Sequence, residues 1–243
     1  MLNSNELGLL EVAEAHYAAL SQRGQEIDRL RCVPQDLAEQ LAAEGFYRVI
    51  TPGELGGLGY SPEALCRICE TLGTANGSVA WCIFIGCTSQ YLLGALPSSQ
   101  LEKMLASRNL ITSGVFADSG TALFQERNGQ PGYVINGHWR WGSGCRNATW
   151  ISGGIHEIDS AGNPVSRDAP LSRAFFQPND IQIQDNWHVS GLRGSGSSDY
   201  IATDVWLPAE RLATNIDHSI HAQLPIYRFP RFALLGIPIG AIC

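Results

Sequence analysis

The chain has 243 residues, 44% of them hydrophobic, and a formal net charge of -7. This length and apolar content suffice for a sizeable buried core, in one large domain or two smaller ones. The negative charge and the lack of a Lys/Arg cluster argue against nucleic acid or an anionic membrane as a partner, because both present phosphates that need cations. We therefore expect small-molecule ligands.

Seven cysteines occur without a signal-peptide pattern at the start of the sequence. This usage predicts reduced thiols in a cytoplasmic protein. Cys66, Cys69, Cys82 and Cys87 superficially offer four metal ligands. However, the first pair lies in a helical pattern and the second in an apolar run, and neither has the glycine-rich knuckle or nearby histidine of a zinc site. We expect core thiols and no metal.

The first hundred or so residues read as helices. Asn3 and Glu6 have the spacing of a capping box. Further helices are expected to begin near Pro34, Pro62, Asn76 and Ser98, and to end near Gly45, Gly73, Leu93 and Leu105. The one that follows Asn76 is nearly all apolar and should be buried on most sides. The glycine-rich stretch 50–60 between two of these helices lacks a complete phosphate-binding fingerprint, so we interpret it as a rigid connector.

From Asn109 the hydrophobic period changes from about 3.6 to 2, which marks the start of a β domain. The candidate strands are 110–116, 132–135, 138–141, 150–155, 174–176, 181–184 and 200–207. Short strands with frequent turns predict an antiparallel barrel or sandwich. The fold class is therefore α+β, with an N-terminal helical domain at 1–108 and a β domain at 109–215.

The stretch from Tyr133 to Gly144 concentrates aromatic and glycine residues. Asn136-Gly137 is the pair best suited to a type I′ turn, so a tight hairpin is expected there. Alternation along the second strand would place Trp139, Trp141 and Ser143 on one face. Gly142 and Gly144 flank the serine, and glycine in a strand often marks a close approach to the backbone, here by a flat ligand. The alternative is a sandwich core in which both tryptophans are only packed.

The last segment, Phe232 to Cys243, is mostly apolar and far too short to span a bilayer, which needs about 20 such residues. We expect it to pack against structure that this sequence lacks, as in a fragment or truncated gene product. Residues 216–243 are interpreted as the start of a C-terminal helical domain.

Four stretches, in order, resemble motifs of the acyl-CoA dehydrogenase superfamily. Pro52 to Gly57 is similar to its Pro-x-x-x-Gly-Gly loop, and Gly114 to Thr121 occupies the place of its first β-domain flavin motif. Asn136 to Ser143 resembles the strand with its flavin-stacking tryptophan and flavin-bonding hydroxyl. Gly191 to Pro208 resembles its closing signature. The resemblance covers most of the chain but only the beginning of the family's C-terminal helical bundle.

The details favour one branch of that superfamily. Asp118 to Thr121 stands where the dehydrogenases normally have Thr-Glu-Pro. Ser143-Gly144, the Gly-Leu-Arg-Gly opening at Gly191 and the stretch from Ser78 to Trp81 look more like the flavin-dependent monooxygenases of the same fold. The alternatives are an acyl-CoA dehydrogenase-like flavin dehydrogenase or oxidase, and a non-catalytic remnant of the fold.

The resemblance implies a chemistry and a set of site residues. In such monooxygenases reduced flavin (FMNH2 or FADH2) reacts with O2 to a C4a-hydroperoxide, which hydroxylates an aromatic or heterocyclic small molecule. Ser143 matches the catalytic hydroxyl near flavin N5. The implied cofactor-binding residues are Phe116, Ala117, Ser119, Trp141, Ser143 and Gly144. Trp81 is a candidate wall of the substrate pocket, with plain core packing as the alternative.

The same resemblance implies partners. These are a separate flavin reductase and, with the C-terminal bundle present, further copies of the chain in a tetramer. Arg193 fits either a flavin phosphate or subunit contact or a structural hydrogen bond, and neither His138 nor His188 is assigned a role. Thr88 to Tyr91 lies where many of these enzymes have a histidine near the substrate, so phenol hydroxylation is not implied.

Overall fold

The structure is a computed structural model that describes residues 1–107, 109–165, 172–213, 219 and 221–242. The first part of the chain is helical, with α1 at Ser4–Ala15, α2 at Tyr17–Gln22, α3 at Gly24–Leu30, α4 at Gln35–Ala43, α5 at Pro62–Ala75, α6 at Gly77–Ser89 and α7 at Ser98–Leu105. Near the end of the chain lie α8 at Pro225–Arg228 and α9 at Arg231–Ile242. The predicted domain boundaries fall on or beside residues 108 and 214–218, which lie outside the described residues.

Side-chain caps mark the starts of α1, α5 and α6. The Asn3 side chain accepts from the N–H of Glu6, and the Glu6 carboxylate accepts from the N–H of Asn3, so the predicted capping box is confirmed. The prediction that Gly73 ends α5 is wrong. The helix continues to Ala75, because Asn76 is the first residue with extended backbone and it caps α6 with its own side chain.

Helix α6 lies in the core. The stretch Gly77–Ala95 is long and apolar enough to cross a membrane, but 83% of its apolar 18-residue window is buried inside the protein. It packs against α5, α9 and the start of the sheet. Cys69, Cys82 and Cys87 are buried, as expected of core thiols, whereas Cys66 is only half-buried. Burial raises the pKa of Cys82 and of Cys87 to about 12.

The second part of the chain forms one sheet. Its strands are β1 at Thr112–Phe124, β2 at Gly132–Gly142, β3 at Trp150–Ile158, β4 at Ser172–Phe176, β5 at Gln182–Ile183, β6 at Ser198–Pro208 and β7 at Leu212–Ala213. Their spatial order is β5-β6-β2-β1-β3-β4-β7. The α+β organisation is confirmed, and the sheet is mostly antiparallel, but it is not closed into a barrel. Among the described strands β5 and β7 are open edges, and β1 pairs with β3 in parallel.

The hairpin predicted at Asn136-Gly137 is wrong, because both residues lie inside the continuous strand β2. Gly137 pairs with β1 on one side and with β6 on the other, next to a register shift in the second pairing. The Asn136 side chain exchanges hydrogen bonds with Asp204 on β6. A Cβ on Gly137 would lie 2.5 Å from the ring of Trp139. The Asn-Gly pair therefore accommodates a register shift between β2 and β6 and the close approach of the Trp139 ring.

Trp139 is the centre of the sheet's packed face. It is fully buried, and its ring stacks on Tyr200 with 5.4 Å between centroids. Its indole N–H donates to the carbonyl of Gly154 at 2.9 Å. A Cβ on Gly153 would lie 2.3 Å from this indole, so the pocket around Trp139 depends on that glycine. Trp139 is therefore a packing residue of the core.

Candidate functional site

The end of β2 turns two nearby tryptophans in opposite directions. Trp139 is buried, whereas Trp141 is 69% exposed. Trp139 pairs with Tyr200 and Gly142 with Ser198, so β2 has one residue more than β6 over this interval. Trp141 takes up the irregularity with a left-handed backbone, φ 63°. The expectation that Trp139, Trp141 and Ser143 share one face is therefore wrong, because the bulge breaks the alternation on which it rested.

Asp199 holds the bulge. One of its carboxylate oxygens accepts from the N–H of Trp141 at 3.1 Å, and the other lies 2.8 Å from Nε2 of His138. Partial burial raises the pKa of Asp199, but the hydrogen bonds from His138 and from the N–H of Trp141 outweigh it, so the pKa lies below the usual value. The carboxylate thus stays ionised and fixes the backbone from which the Trp141 indole projects.

The Ser143 side chain is buried at the junction of the helices and the sheet. Its hydroxyl accepts from the indole N–H of Trp81, on α6, at 2.8 Å. It also lies 2.7 Å from the hydroxyl of Ser197, which lies 2.7 Å from that of Ser195. The structure thus brings the predicted residues Trp81 and Ser143 into direct contact.

The backbone around Ser143 is fixed as firmly as its side chain. The carbonyl of Ser143 accepts from the hydroxyl of Ser113 at 2.7 Å, and the N–H of Gly144 donates to the carbonyl of Ser195 at 2.8 Å. Gly144 has φ +71°, a conformation that favours glycine. A Cβ on Gly142 would lie 2.5 Å from the Tyr200 ring. Turn geometry and internal packing therefore account for both glycines, and the expected ligand approach is not needed to explain them.

Phe116 and Ala117 lie in a second irregularity. Val115 pairs with Gly153 and Asp118 with Gly154, so two residues of β1 have no counterpart on β3. A Cβ on Gly154 would lie 2.5 Å from the Ala117 carbonyl, so this glycine makes room for the bulge.

The side chains of this β1 segment differ in their surroundings. The Phe116 ring is half-buried, with the Arg173 guanidinium 4.0 Å from its centroid. Ala117 and Ser119 are exposed. The segment is tied to Ser143 through Ser113, a few residues earlier on the same strand.

One cavity lies beside the bulge at Trp141, and a second lies away from the predicted site residues. One, of about 300 Å³, is lined by Arg140, Trp141, Asn186, Trp187, Val189, Ser197 and Asp199. This volume is at the low end for ligand pockets, roughly 300–1,000 Å³. The other, of about 780 Å³, lies between the start of α1, residues 50–63 and residues 224–229, and none of the predicted site residues lines it. Of the predicted site residues, Trp141 lines the smaller cavity.

Sequence reasoning missed the residues that support the site. Ser195 and Ser197 lie within the closing signature, yet nothing in that motif indicated that their hydroxyls reach Ser143. Asp199 follows two residues later, and only the pairing of β2 with β6 brings it to Trp141. Arg193 donates to the carbonyls of Asp28 and Val189, which supports the structural alternative for that residue.

Comparisons with known proteins identify the fold family. Residues 10–106 match the family described as "Acyl-CoA dehydrogenase, N-terminal domain". The chain is 30% identical over 203 residues to the "Flavin-dependent monooxygenase, oxygenase subunit HsaA" of Rhodococcus jostii, covering 82% of this chain and 50% of that protein. It is 29% identical over 211 residues to an "Indole-3-acetate monooxygenase" of Acinetobacter baumannii, covering 86% of this chain and 51% of that one. The chain thus spans about half the length of these curated relatives.

The solved structures agree with this assignment. The crystal structure of 3-HSA hydroxylase from Rhodococcus sp. RHA1 superposes with a TM-score of 0.83 at 27% identity, over 96% of this chain and 60% of that one. XiaF from Streptomyces sp., in complex with FADH2 and glycerol, superposes with a TM-score of 0.85 at 21% identity, over 98% of this chain and 60% of the XiaF chain. This similarity shows that the two proteins share a fold. Residues 10–106 thus belong to the acyl-CoA dehydrogenase N-terminal domain family, and most of the chain is similar to the oxygenase components of flavin-dependent monooxygenases.

Proposed function

We propose that this chain carries the flavin-binding wall of the oxygenase component of a two-component flavin-dependent monooxygenase. Such a protein uses reduced flavin and O2 to hydroxylate an aromatic or heterocyclic small molecule. When bound, reduced flavin supplies the electrons that activate oxygen. The observation that carries the proposal is the Ser143 hydroxyl, which Trp81 and Ser197 hold in place two residues after the exposed indole of Trp141.

The residues present fit a flat, polar-edged ring system. Trp141 offers an exposed aromatic face on a backbone that Asp199 holds. After accepting from Trp81, the Ser143 hydroxyl retains one hydrogen and one lone pair, which suits a ring nitrogen such as flavin N5. Gly144 lies beside it on a fixed backbone. These residues would pack on the ring and fix its orientation.

The β1 bulge would border the other edge of the ring. Phe116 and Ala117 are lifted out of the regular pairing, and Ala117 and Ser119 are exposed, so their backbone groups are accessible to the pyrimidine portion of a flavin. Arg173 stacks on Phe116 and donates to the carbonyl of Val115, which stiffens the bulge. We propose these residues as the second half of the flavin contact.

Trp81 is proposed as a wall of the substrate pocket with a restricted role. Its ring meets Phe84 edge-on at 5.7 Å, and its N–H is engaged by Ser143. An indole has one donor and no acceptor. Toward a substrate Trp81 therefore offers an apolar surface that excludes water, which favours transfer of oxygen to the substrate over loss as peroxide.

We also propose a separate flavin reductase as a partner, because relatives of the chain are oxygenase subunits. One of these relatives is the oxygenase component of a p-hydroxyphenylacetate 3-hydroxylase. Structural neighbours were solved with FADH2 and with FMN, so both flavins are candidate cofactors. We further propose a cytoplasmic location, assembly of the whole protein as a homotetramer, and the division at 1–108, 109–215 and 216–243.

The test begins with binding and proceeds to turnover. The purified chain is titrated anaerobically with FMN and FAD, oxidised and dithionite-reduced, and the dissociation constants are measured. We expect binding of at least one reduced flavin, and roughly two- to tenfold weaker binding by Trp141→Ala, since stacking contributes about 0.5–1.5 kcal/mol. Oxygen is then added with indole-3-acetate or p-hydroxyphenylacetate, and hydroxylated product and hydrogen peroxide are quantified.

Two outcomes would count against the proposal. If neither FMN nor FAD binds in either redox state, the flavin site is wrong. If flavin binds but a thioester of coenzyme A bleaches it anaerobically, the dehydrogenase alternative replaces the monooxygenase.

A further inference from the structure

Three serine hydroxyls form a continuous chain behind the proposed flavin contact. The hydroxyl of Ser143 is 2.7 Å from that of Ser197, and the hydroxyl of Ser197 is 2.7 Å from that of Ser195. Their relative exposures are 7%, 4% and 1%, so the chain runs inward from the site. Sequence distance gives no hint of the first link, which joins residues 54 positions apart.

The direction of one bond at Ser143 is fixed. The indole of Trp81 is only a donor, so Ser143 must accept from it. A hydroxyl has one hydrogen and two acceptor positions. Ser143 is therefore left with one hydrogen and one lone pair, to be shared between Ser197 and whatever meets the hydroxyl from the site.

The bond between Ser143 and Ser197 has two possible directions. If Ser197 donates, the hydrogen of Ser143 is free to donate into the site. If Ser143 donates, its lone pair is free to accept from the site, and Ser197 in turn can donate to Ser195. Oxidised flavin presents an unprotonated N5, which needs a donor, whereas reduced flavin carries a hydrogen on N5, which needs an acceptor.

We propose that Ser197, backed by Ser195, is a positioning residue that receives the hydrogen of Ser143 and so makes Ser143 an acceptor for the N5–H of reduced flavin. This inference rests on the proposed function, because it places flavin N5 at Ser143. It goes further by assigning a preference for one redox state to residues that act through the Ser143 hydroxyl.

Binding of reduced flavin should depend on Ser197 more strongly than binding of oxidised flavin. Without Ser197, Ser143 can still donate to oxidised flavin, and only a lone pair is left unused. When it accepts from reduced flavin, its own buried hydrogen loses its partner. A buried donor without a partner is the costlier defect. Loss of the Ser197 hydroxyl should therefore weaken the binding of reduced flavin selectively.

The experiment compares dissociation constants for oxidised and reduced flavin in wild type and variants under anaerobic conditions. Ser197→Ala should weaken binding of the reduced form roughly tenfold and of the oxidised form by less than about threefold. Ser197→Thr keeps a hydroxyl and should restore the wild-type ratio. Ser195→Ala should act in the same direction with a smaller effect, since Ser197 also borders the 300 Å³ cavity, where water can replace Ser195.

Ser113→Ala is the matched control. It removes a buried hydroxyl that bonds the Ser143 carbonyl but stands outside the hydroxyl chain, so it should change both affinities by the same factor. An equal loss of both affinities in Ser197→Ala, or no restoration by Ser197→Thr, overturns the inference and leaves the flavin site standing. Absence of binding by wild type in both redox states removes the proposed function and this inference with it.

Discussion

The indole N–H of Trp81 and the hydroxyl of Ser143 lie 2.8 Å apart, and this bond joins helix α6 to the sheet at the candidate site. It unites two parts of the chain that sequence patterns treat separately. Because Trp81 can only donate, it also decides which capacities of the Ser143 hydroxyl remain for a ligand.

Trp81→Phe removes that donor while keeping an aromatic ring against Phe84. We expect a loss of about 1 kcal/mol in the free energy of unfolding, the usual net worth of one hydrogen bond, and weaker flavin binding because Ser143 is no longer oriented. Urea denaturation and flavin titration measure the two effects.

Trp206→Phe is the matched control for Trp81→Phe. It also removes an indole hydrogen bond, to the carbonyl of Gln125 at 2.9 Å, but at the other end of β6. It should leave flavin binding unchanged. Equal effects of the two variants on flavin binding would disprove the role of the Trp81–Ser143 bond.

The two tryptophans of β2 should respond oppositely to truncation. Trp139 is fully buried, so Trp139→Ala should cost about 3–5 kcal/mol of stability by leaving a cavity. Trp141 is 69% exposed, so Trp141→Ala should change stability by less than about 0.5 kcal/mol. Thermal unfolding measures the stability of both variants. Flavin titration should show weaker binding by Trp141→Ala although its stability is almost unchanged. A large loss of stability in Trp141→Ala would mean that its indole is a packing element.

The structural features that the sequence predicts correctly are those whose signals are local. The Asn3–Glu6 capping box and the helix start near Pro62 depend on residues within one helical turn, and both are confirmed. The Asn136-Gly137 turn was wrong although its local signal is strong, because β2 gains pairing on both sides when it runs straight through. A propensity of a few tenths of a kcal/mol cannot outweigh several ladder hydrogen bonds.

The site shows the same division. The identities of Trp81, Trp141 and Ser143 came from resemblance, but the geometry that relates them is long-range. The bulge at Trp141 depends on the register between β2 and β6, and its anchor, Asp199, is 58 positions away in the sequence. No periodicity within β2 contains that information, so strict alternation put Trp141 on the wrong face.

Asp199 makes part of the stability depend on pH. Its pKa in the folded protein is lowered from 3.8 by the bonds from His138 and Trp141, which outweigh the effect of burial. A lowered folded-state pKa contributes stability that is fully present above the unfolded pKa and is lost as pH falls through the folded one. Asp199→Asn should therefore cost about 2 kcal/mol at pH 7, the range for hydrogen bonds to a charged group.

The difference between wild type and Asp199→Asn should shrink as the pH falls from about 4 through the lowered folded-state pKa of Asp199. The carboxyl of the unfolded chain binds a proton first, and the folded carboxyl follows at lower pH and loses the same interactions. Urea unfolding at pH 7, 5 and 3 measures it. A difference that stays constant from pH 7 to pH 3 would mean that the charge of Asp199 is not what holds the bulge.

A substitution at Gly142 tests whether glycine is required there by internal packing or by the approach of a ligand. A Cβ at this position would lie 2.5 Å from the Tyr200 ring, which itself is fixed by stacking on Trp139 and by a hydrogen bond from its hydroxyl to the Ser152 carbonyl. The ring cannot move aside without breaking these contacts. We expect Gly142→Ala to lower the free energy of unfolding by about 1–3 kcal/mol, the usual cost of overpacking.

Gly8→Ala provides the opposite case for that measurement. Gly8 lies within α1 with nothing within 4 Å of an added Cβ, so alanine there should stabilise the protein by about 0.5–1 kcal/mol through helix propensity. Denaturant unfolding of both variants without flavin isolates the chain's own packing. If Gly142→Ala unfolds like wild type yet loses flavin affinity, the glycine is needed for a ligand's approach to the backbone, and the internal explanation is wrong.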